Sequence, residues 1–218
     1  MEILGINNLW LFVISGIILN VLPGPDSLYI VGRTGMQGFR AGSVAALGIG
    51  TGTIFHIFMA AFGLSAILAT SVMAFTLLKI VGAIYLLYMG LSMLFSRSAR
   101  QGDGAGGIEA AALSRDIPLG KIYWQGFLTN VLNPKVALFF LAFVPQFIDP
   151  AAQYKALSFI VLGLIFNING MLWCHFLAFL TTVGSRRIQQ SQHVTRWLTR
   201  LGGALFTYFG LRLAVSSQ

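Results

Sequence analysis

Charge is what this sequence has least of. Only 9% of its 218 residues are charged, against 56% hydrophobic, and the acids number six in all. A soluble domain carries about a quarter charged residues, so the expected solvent is a lipid bilayer. The single cysteine, Cys174, rules out an internal disulfide and leaves the redox compartment open. Common catalytic signatures are missing as well: there is no His-Glu-x-x-His, no Gly-x-Ser-x-Gly and no Walker glycine loop. ATP-driven work by this chain alone has no support, no nucleophile–base pair stands out for an intramembrane enzyme, and no cofactor is expected. Ahead of the first apolar run stand Glu2, no Lys or Arg, and no small-x-small cleavage pattern, so the first span is expected to be retained. The formal charge of +8 does not point to nucleic acid, because the basic residues sit between apolar runs and not on a soluble basic patch.

What is present is a series of six apolar runs, at roughly 6–31, 41–69, 74–95, 122–148, 156–183 and 198–215. The expected fold is an all-α membrane protein with six transmembrane helices. Residues 1–95 form a first three-helix repeat, 96–121 a glycine-rich, flexible cytoplasmic connector, and 122–218 a second three-helix repeat. The first, third and fifth connections hold Arg33, Arg40, Arg97, Arg100, Arg115, Lys121, Arg186, Arg187, Arg196 and Arg200, whereas the opposite side holds Lys155 and Arg212. Basic residues accumulate on the cytoplasmic face, so both termini are expected outside.

The first run contains Asn20-Val21-Leu22-Pro23-Gly24-Pro25-Asp26, with two prolines, a glycine and a carboxylate that no simple anchor needs. Proline removes a backbone donor and breaks the helix ladder. Freed backbone groups at membrane depth are tolerated only where protein or a wet cavity receives them. The fourth run repeats the device as Asn130-Val131-Leu132-Asn133-Pro134. Gly82-Ala83 with Tyr88-x-Gly90-Leu91 in the third run is matched by Gly202-Gly203 with Tyr208-x-Gly210-Leu211 in the sixth. With three spans per half, the second copy enters the membrane from the other side. That is the inverted repeat of many secondary transporters, whose substrate sites lie where interrupted helices of the two halves meet.

Candidate site residues follow from those breaks. Asp26 reads either as a cap for the free N–H groups of a half-helix or as a carboxylate that takes a proton or a substrate ammonium. Arg33, seven residues on, is either its partner or a topological charge. Asn20, Asn130 and Asn133 serve as interhelical hydrogen-bond glue or line a cavity around Pro23, Gly24, Pro25 and Pro134. Lys135 answers a substrate carboxylate, pairs with Asp26, or snorkels. His56 and His175 sit at corresponding places in the second and fifth runs, either as neutral hydrogen-bonded residues or as a proton relay. Neither has a metal-ligand partner at helical spacing. Gly48-x-x-x-Gly52 permits close helix approach, inside one chain or across a homodimer.

Leu22-Pro23-Gly24-Pro25-Asp26, the glycines at 35, 38 and 42, and Gly126 through Lys135 followed by Phe143-Val144-Pro145-Gln146-Phe147 resemble the motifs of the LysE/RhtB amino-acid exporters. The resemblance covers nearly the whole chain. It implies a bacterial inner-membrane exporter of amino acids or their derivatives, driven by the proton gradient, with threonine- or homoserine-type substrates nearest. The expected partners are therefore a small amino acid, protons and lipid. A passive channel for small polar solutes is the alternative, and an intramembrane enzyme a more distant one.

Overall fold

The computed structural model describes residues 4–64, 72–95, 117–149, 151–183 and 192–215. Residues 96–116 of the expected connector and the basic stretch 184–191 lie outside them. Among the described residues the chain forms seven α-helices and no extended strand, only an isolated bridge between Ile6 and Ile148. They are α1 (Leu9–Val21), α2 (Pro25–Phe58), α3 (Val72–Phe95), α4 (Leu119–Val131), α5 (Pro134–Leu138), α6 (Lys155–Val183) and α7 (Gln192–Val215). A π turn, Met59–Leu64, prolongs α2, while α5 runs on through a π turn, Phe139–Phe143, into a 3-10 turn, Val144–Phe147. Pro145 lies in that last turn and has no N–H for the carbonyl four residues back, so α-helical bonding does not resume there after the π turn.

Both expected proline breaks are present. α1 and α4 are each 13 residues long, and each stops just before a break, at 22–24 and 132–133. A proline then opens the next helix, Pro25 for α2 and Pro134 for α5, where its missing N–H costs nothing. The α4–α5 rod bends by 48° at its break. The start of α4 corrects one boundary. Pro118, with φ −58°, already stands at the helix N-cap, so the last residues of the expected connector, Leu119 to Lys121, are helical.

A straight α2 would be about 50 Å long at 1.5 Å per residue, well beyond a hydrocarbon core of about 30 Å. It is not straight. Gly38 has φ 79° and ψ −178°, a left-handed conformation open to glycine, and interrupts the helix. Contacts with α4 show that the chain doubles back there. Along arm 25–37, Asp26 meets Asn130, Arg33 meets Gln125 and Gln37 meets Ile117, so the two segments run antiparallel. Along arm 39–58, Gly126 approaches Ala45, Tyr123 bonds Thr51 and Asn130 meets both Thr53 and His56, so the two segments run parallel. Thr34 and Gly42 touch across the bend. α2 is thus a helical hairpin around one face of α4, and its first arm continues α1 beyond the first break.

The helices α3 and α7, each 24 residues, pack on each other. Their contact is self-complementary: Gly90 sits against Gly203 and Thr207, and Gly210 sits against Leu87. Residues 90 and 210, like 87 and 207, differ by 120, the offset that relates the matched motifs of the third and sixth runs, so the second contact is the first with the two helices exchanged. The pattern recurs between α6 and α1. Asn20 packs against Gly170, as Asn130 packs against Gly52. The main core joins both halves through Phe12, Phe139, Phe143, Phe147, Phe166 and Phe209, with ring centroids as close as 4.3 Å. The outside stays apolar, with Ile14, Leu47, Phe62, Ile84, Leu172 and Leu211 all exposed. So extensive an apolar surface is expected to face lipid. By length and composition, α6 and the α4–α5 rod taken as one bent span are able to cross a bilayer; α2 with its π turn is long and apolar enough as well, but the reversal at Gly38 divides that length between two arms.

Candidate functional site

The two breaks face each other. Asn133 caps α5, its Oδ1 accepting the Lys135 N–H at 3.0 Å. That leaves its Nδ2 to donate to Asp26 Oδ2 at 3.1 Å. Asn130, in the last turn of α4, donates to the same oxygen at 3.1 Å. The other carboxylate oxygen, Oδ1, is shielded from solvent and accepts no hydrogen bond from any described residue. Lys135 crosses in the opposite direction and donates to the carbonyls of Leu19 at 3.3 Å and Leu22 at 3.3 Å. These are carbonyls at the C-terminal end of α1, where the helix dipole is negative and a cation is favoured. A Cβ on Gly24 would stand 3.1 Å from Lys135 Nζ, so a side chain there would crowd the ammonium.

Between the breaks lies a cavity of about 30 Å³, lined by Asn20, Asp26, Thr53, Asn130, Lys135 and Asn167 among its polar residues. Leu19, Ile49, Val136, Phe166 and Met171 supply its apolar wall. The space suits about two water molecules, so a larger solute enters only when the surrounding helices part. Asn20 Nδ2 reaches the Phe166 carbonyl at 3.4 Å and ties α1 to α6.

Several expected residues are therefore brought together and several are not. Asp26, Asn20, Asn130 and Lys135 line the cavity, and Asn133 holds Asp26 from behind. Pro23 and Pro134 are exposed and, like Pro25 and Gly24, do not line it; they shape the breaks. His56 stands one step away. Its Nε2 donates to the Asn130 carbonyl at 3.1 Å and its ring stacks on Phe140. The Nδ1 of His175 is bonded to the Met171 carbonyl of its own helix at 2.9 Å. The pair Gly48 and Gly52 packs against Tyr123, Phe127 and Asn130 of α4, so this close approach is internal to the chain and not a dimer face.

Arg33 requires a correction. It is neither a loop charge nor a hydrogen-bonded partner of Asp26: at 1% exposure it is the largest fully buried side chain among the described residues, held between α2 and α4. Removing it from the count leaves the sign of the basic asymmetry unchanged. Its Nη2 donates to Gln125 Oε1 at 3.0 Å, and the same oxygen accepts from Tyr29 at 3.1 Å. Sequence reasoning also passed over Ser27, Thr53, Asn167 and Cys174 in the cavity wall. Asn167 was within reach, being an amide inside an apolar run. Thr53 and Ser27 carry no such signal.

The sequence profile of the LysE type translocator family matches residues 17–217. The chain belongs to the LysE type translocator family. An uncharacterized membrane protein of Pseudomonas aeruginosa is 32% identical over 219 residues, which is 100% of this chain and 99% of that relative. The leucine efflux proteins of Salmonella typhimurium and of an Enterobacter species are 28% and 30% identical, each across 96% of this chain and 96% of the relative. No solved structure matches. Membership identifies a translocator and not an enzyme, and the LysE-type motifs named from the sequence are the segments that form the two breaks, the Gly38 reversal and the tight contact with α4.

Proposed function

We propose that this LysE-type chain is a secondary transporter of the bacterial inner membrane that exports a small neutral amino acid in exchange for protons. Its six spans form two inverted three-helix repeats with both termini outside. One observation carries the reading: two interrupted helices meet at a cavity, with the carboxylate of one held by amides of the other. The self-complementary contacts of α3 with α7 and the matched Asn20–Gly170 and Asn130–Gly52 pairs support the repeat.

Asp26 Oδ1 is the acceptor for a proton or a substrate ammonium, one in each phase of the cycle. Asn20 and Asn167 supply amides to a zwitterion, and Lys135 supplies positive charge for its carboxylate. The apolar wall of Leu19, Ile49, Val136, Phe166 and Met171 fits an aliphatic side chain better than the hydroxyl of a threonine- or homoserine-type substrate. The names of the leucine efflux relatives point the same way. Leucine is accordingly the first substrate to test.

The experiment is Asp26→Asn. An amide keeps the shape and still offers one oxygen to Asn130 and Asn133, so the protein is expected to insert and fold while leucine export is lost. The readouts are leucine efflux from proteoliposomes and survival of overexpressing cells under toxic leucine excess. Normal export by the variant rejects the role of Asp26. Wild-type flux that ignores an uncoupler rejects proton antiport in favour of a passive pore.

A further inference from the structure

The buried Arg33 cluster has no role in the cavity, and its hydrogen bonding is incomplete. A guanidinium is permanently charged and has five N–H donors. Here Nη2 is the nitrogen engaged, on Gln125 and against Tyr29, whose ring centroid lies 5.7 Å from the guanidinium carbon. Among the described residues Nε and Nη1 are buried without any acceptor. Among the described residues the only acids are Asp26 and Asp149; Asp26 is bonded to Asn130 and Asn133, and Asp149 to the Ala151 N–H. One turn further along the same helix face, Gln37 donates to the Ile117 carbonyl at 3.0 Å, but its own Oε1 is buried with no donor among the described residues. Side by side, the protein thus presents free guanidinium N–H groups and a free amide oxygen. The first set matches a carboxylate, which arginine accepts in a planar two-bond geometry. The second matches an ammonium.

We propose that Arg33 and Gln37 form a second station for the transported zwitterion. Arg33 takes its carboxylate and Gln37 Oε1 its ammonium, about 10 Å along arm 25–37 from Asp26. Tyr29 and Gln125 hold the guanidinium in place for this, the single tyrosine O–H being shared between Gln125 Oε1 at 3.1 Å and the Ile122 carbonyl at 2.9 Å. The station is enclosed while arm 25–37 lies on α4 and fills when the two separate at the Gly38 end. A zwitterion spans too short a distance to bridge Arg33 and Asp26, so the stations are occupied in succession. The Gly38 end carries Arg40 and is the cytoplasmic end in the orientation proposed above, which makes this the loading station of an exporter.

This inference rests on the reading of the chain as an amino-acid exporter, and the test separates the two. Initial rates of transport from the loading side are measured in proteoliposomes for leucine and for leucinamide, which keeps the ammonium and lacks the carboxylate. Wild type is expected to show a KM at least tenfold higher for leucinamide. Arg33→Gln is expected to raise the leucine KM at least tenfold, leave kcat within about twofold and leave the leucinamide KM unchanged. Arg33→Lys keeps the charge without the planar fork; it is expected to fall between the two and supplies the readout if the glutamine variant does not accumulate. An unchanged leucine KM in either folded variant overturns the station, and so does equal handling of leucine and leucinamide by wild type, which needs no variant. Failure of wild type to move any amino acid overturns the exporter reading itself.

Discussion

Replacing Gly48 with alanine tests the packing on which the site depends. A Cβ at this position runs into the carbonyl oxygen of Tyr123 and comes within 3.0 Å of the Phe127 nitrogen. Both are backbone atoms of α4, so no side-chain rotation relieves the clash and arm 39–58 must lift away. Three interhelical hydrogen bonds stretch with it: Tyr123 to Thr51 at 2.9 Å, Thr53 to Asn130 at 3.3 Å and His56 to Asn130 at 3.1 Å. At roughly 0.6–1.7 kcal/mol for each such bond inside a membrane protein, the loss is about 2–5 kcal/mol. For a chain of this size that corresponds to a fall in Tm of about 4–20 °C. Because Asn130 also holds Asp26, export should fall with stability. The control is Gly35→Ala on arm 25–37, where a Cβ meets nothing within 4 Å; alanine there should be neutral or slightly stabilising. Thermal unfolding of the two purified variants in detergent, with leucine efflux alongside, provides the comparison. Equal Tm and equal export for the two variants would refute the internal packing of Gly48. A change in oligomeric state without a change in Tm would restore the dimer face.

Two further outcomes follow from the site. Lys135→Met removes the ammonium that ties α5 to the carbonyls of Leu19 and Leu22; export should fall at least tenfold, while the offset between lost bonds and relieved charge burial keeps the change in stability to about 2 kcal/mol or less. Lys135→Arg should not rescue it, since Gly24 already lies against Nζ and the larger fork has no room, and rescue by arginine in the efflux assay would count against the tie. Met171→Ala enlarges the apolar wall of the cavity; the ratio of phenylalanine to leucine efflux should rise several-fold, and an unchanged ratio would place the substrate side chain elsewhere.

The parts of this molecule legible in the sequence are those written as local chemistry. Pro23, Pro25 and Pro134 announce broken helices because a missing N–H has one consequence wherever it occurs. The mutual approach of the breaks was also legible, through the repeat, because two copies of one costly device in a membrane imply a shared cavity. Arg33 was misplaced because spacing alone does not distinguish a loop charge at the end of a span from a guanidinium swallowed by a helix hairpin. The deciding information is Gln125, which lies 92 positions away. The hairpin itself hinges on Gly38, one of several regularly spaced glycines whose φ angles sequence does not reveal. Ser27 and Thr53 enter the cavity wall only through the register between α2, α4 and α6, and neither residue type is rare enough to advertise itself.

The arrangement also explains why the carboxylate is placed where it is. Each break leaves polar groups that its own half cannot satisfy, and the other half satisfies them. Lys135 serves the carbonyls that end α1, and Asn130 and Asn133 at the second break serve Asp26 at the first. The clamp across the breaks thus consists of few bonds, two of them converging on one oxygen of one carboxylate. An ionised carboxylate is an acceptor only and holds both amides; a protonated one loses its charge and becomes a donor as well, so the same two amides grip it less firmly. Under the proposed antiport, a proton arriving at Asp26 both displaces a substrate ammonium and loosens the contact between the halves. Exchange and opening then depend on a single group, and a carboxylate placed in either break without amides in the other would provide only the first.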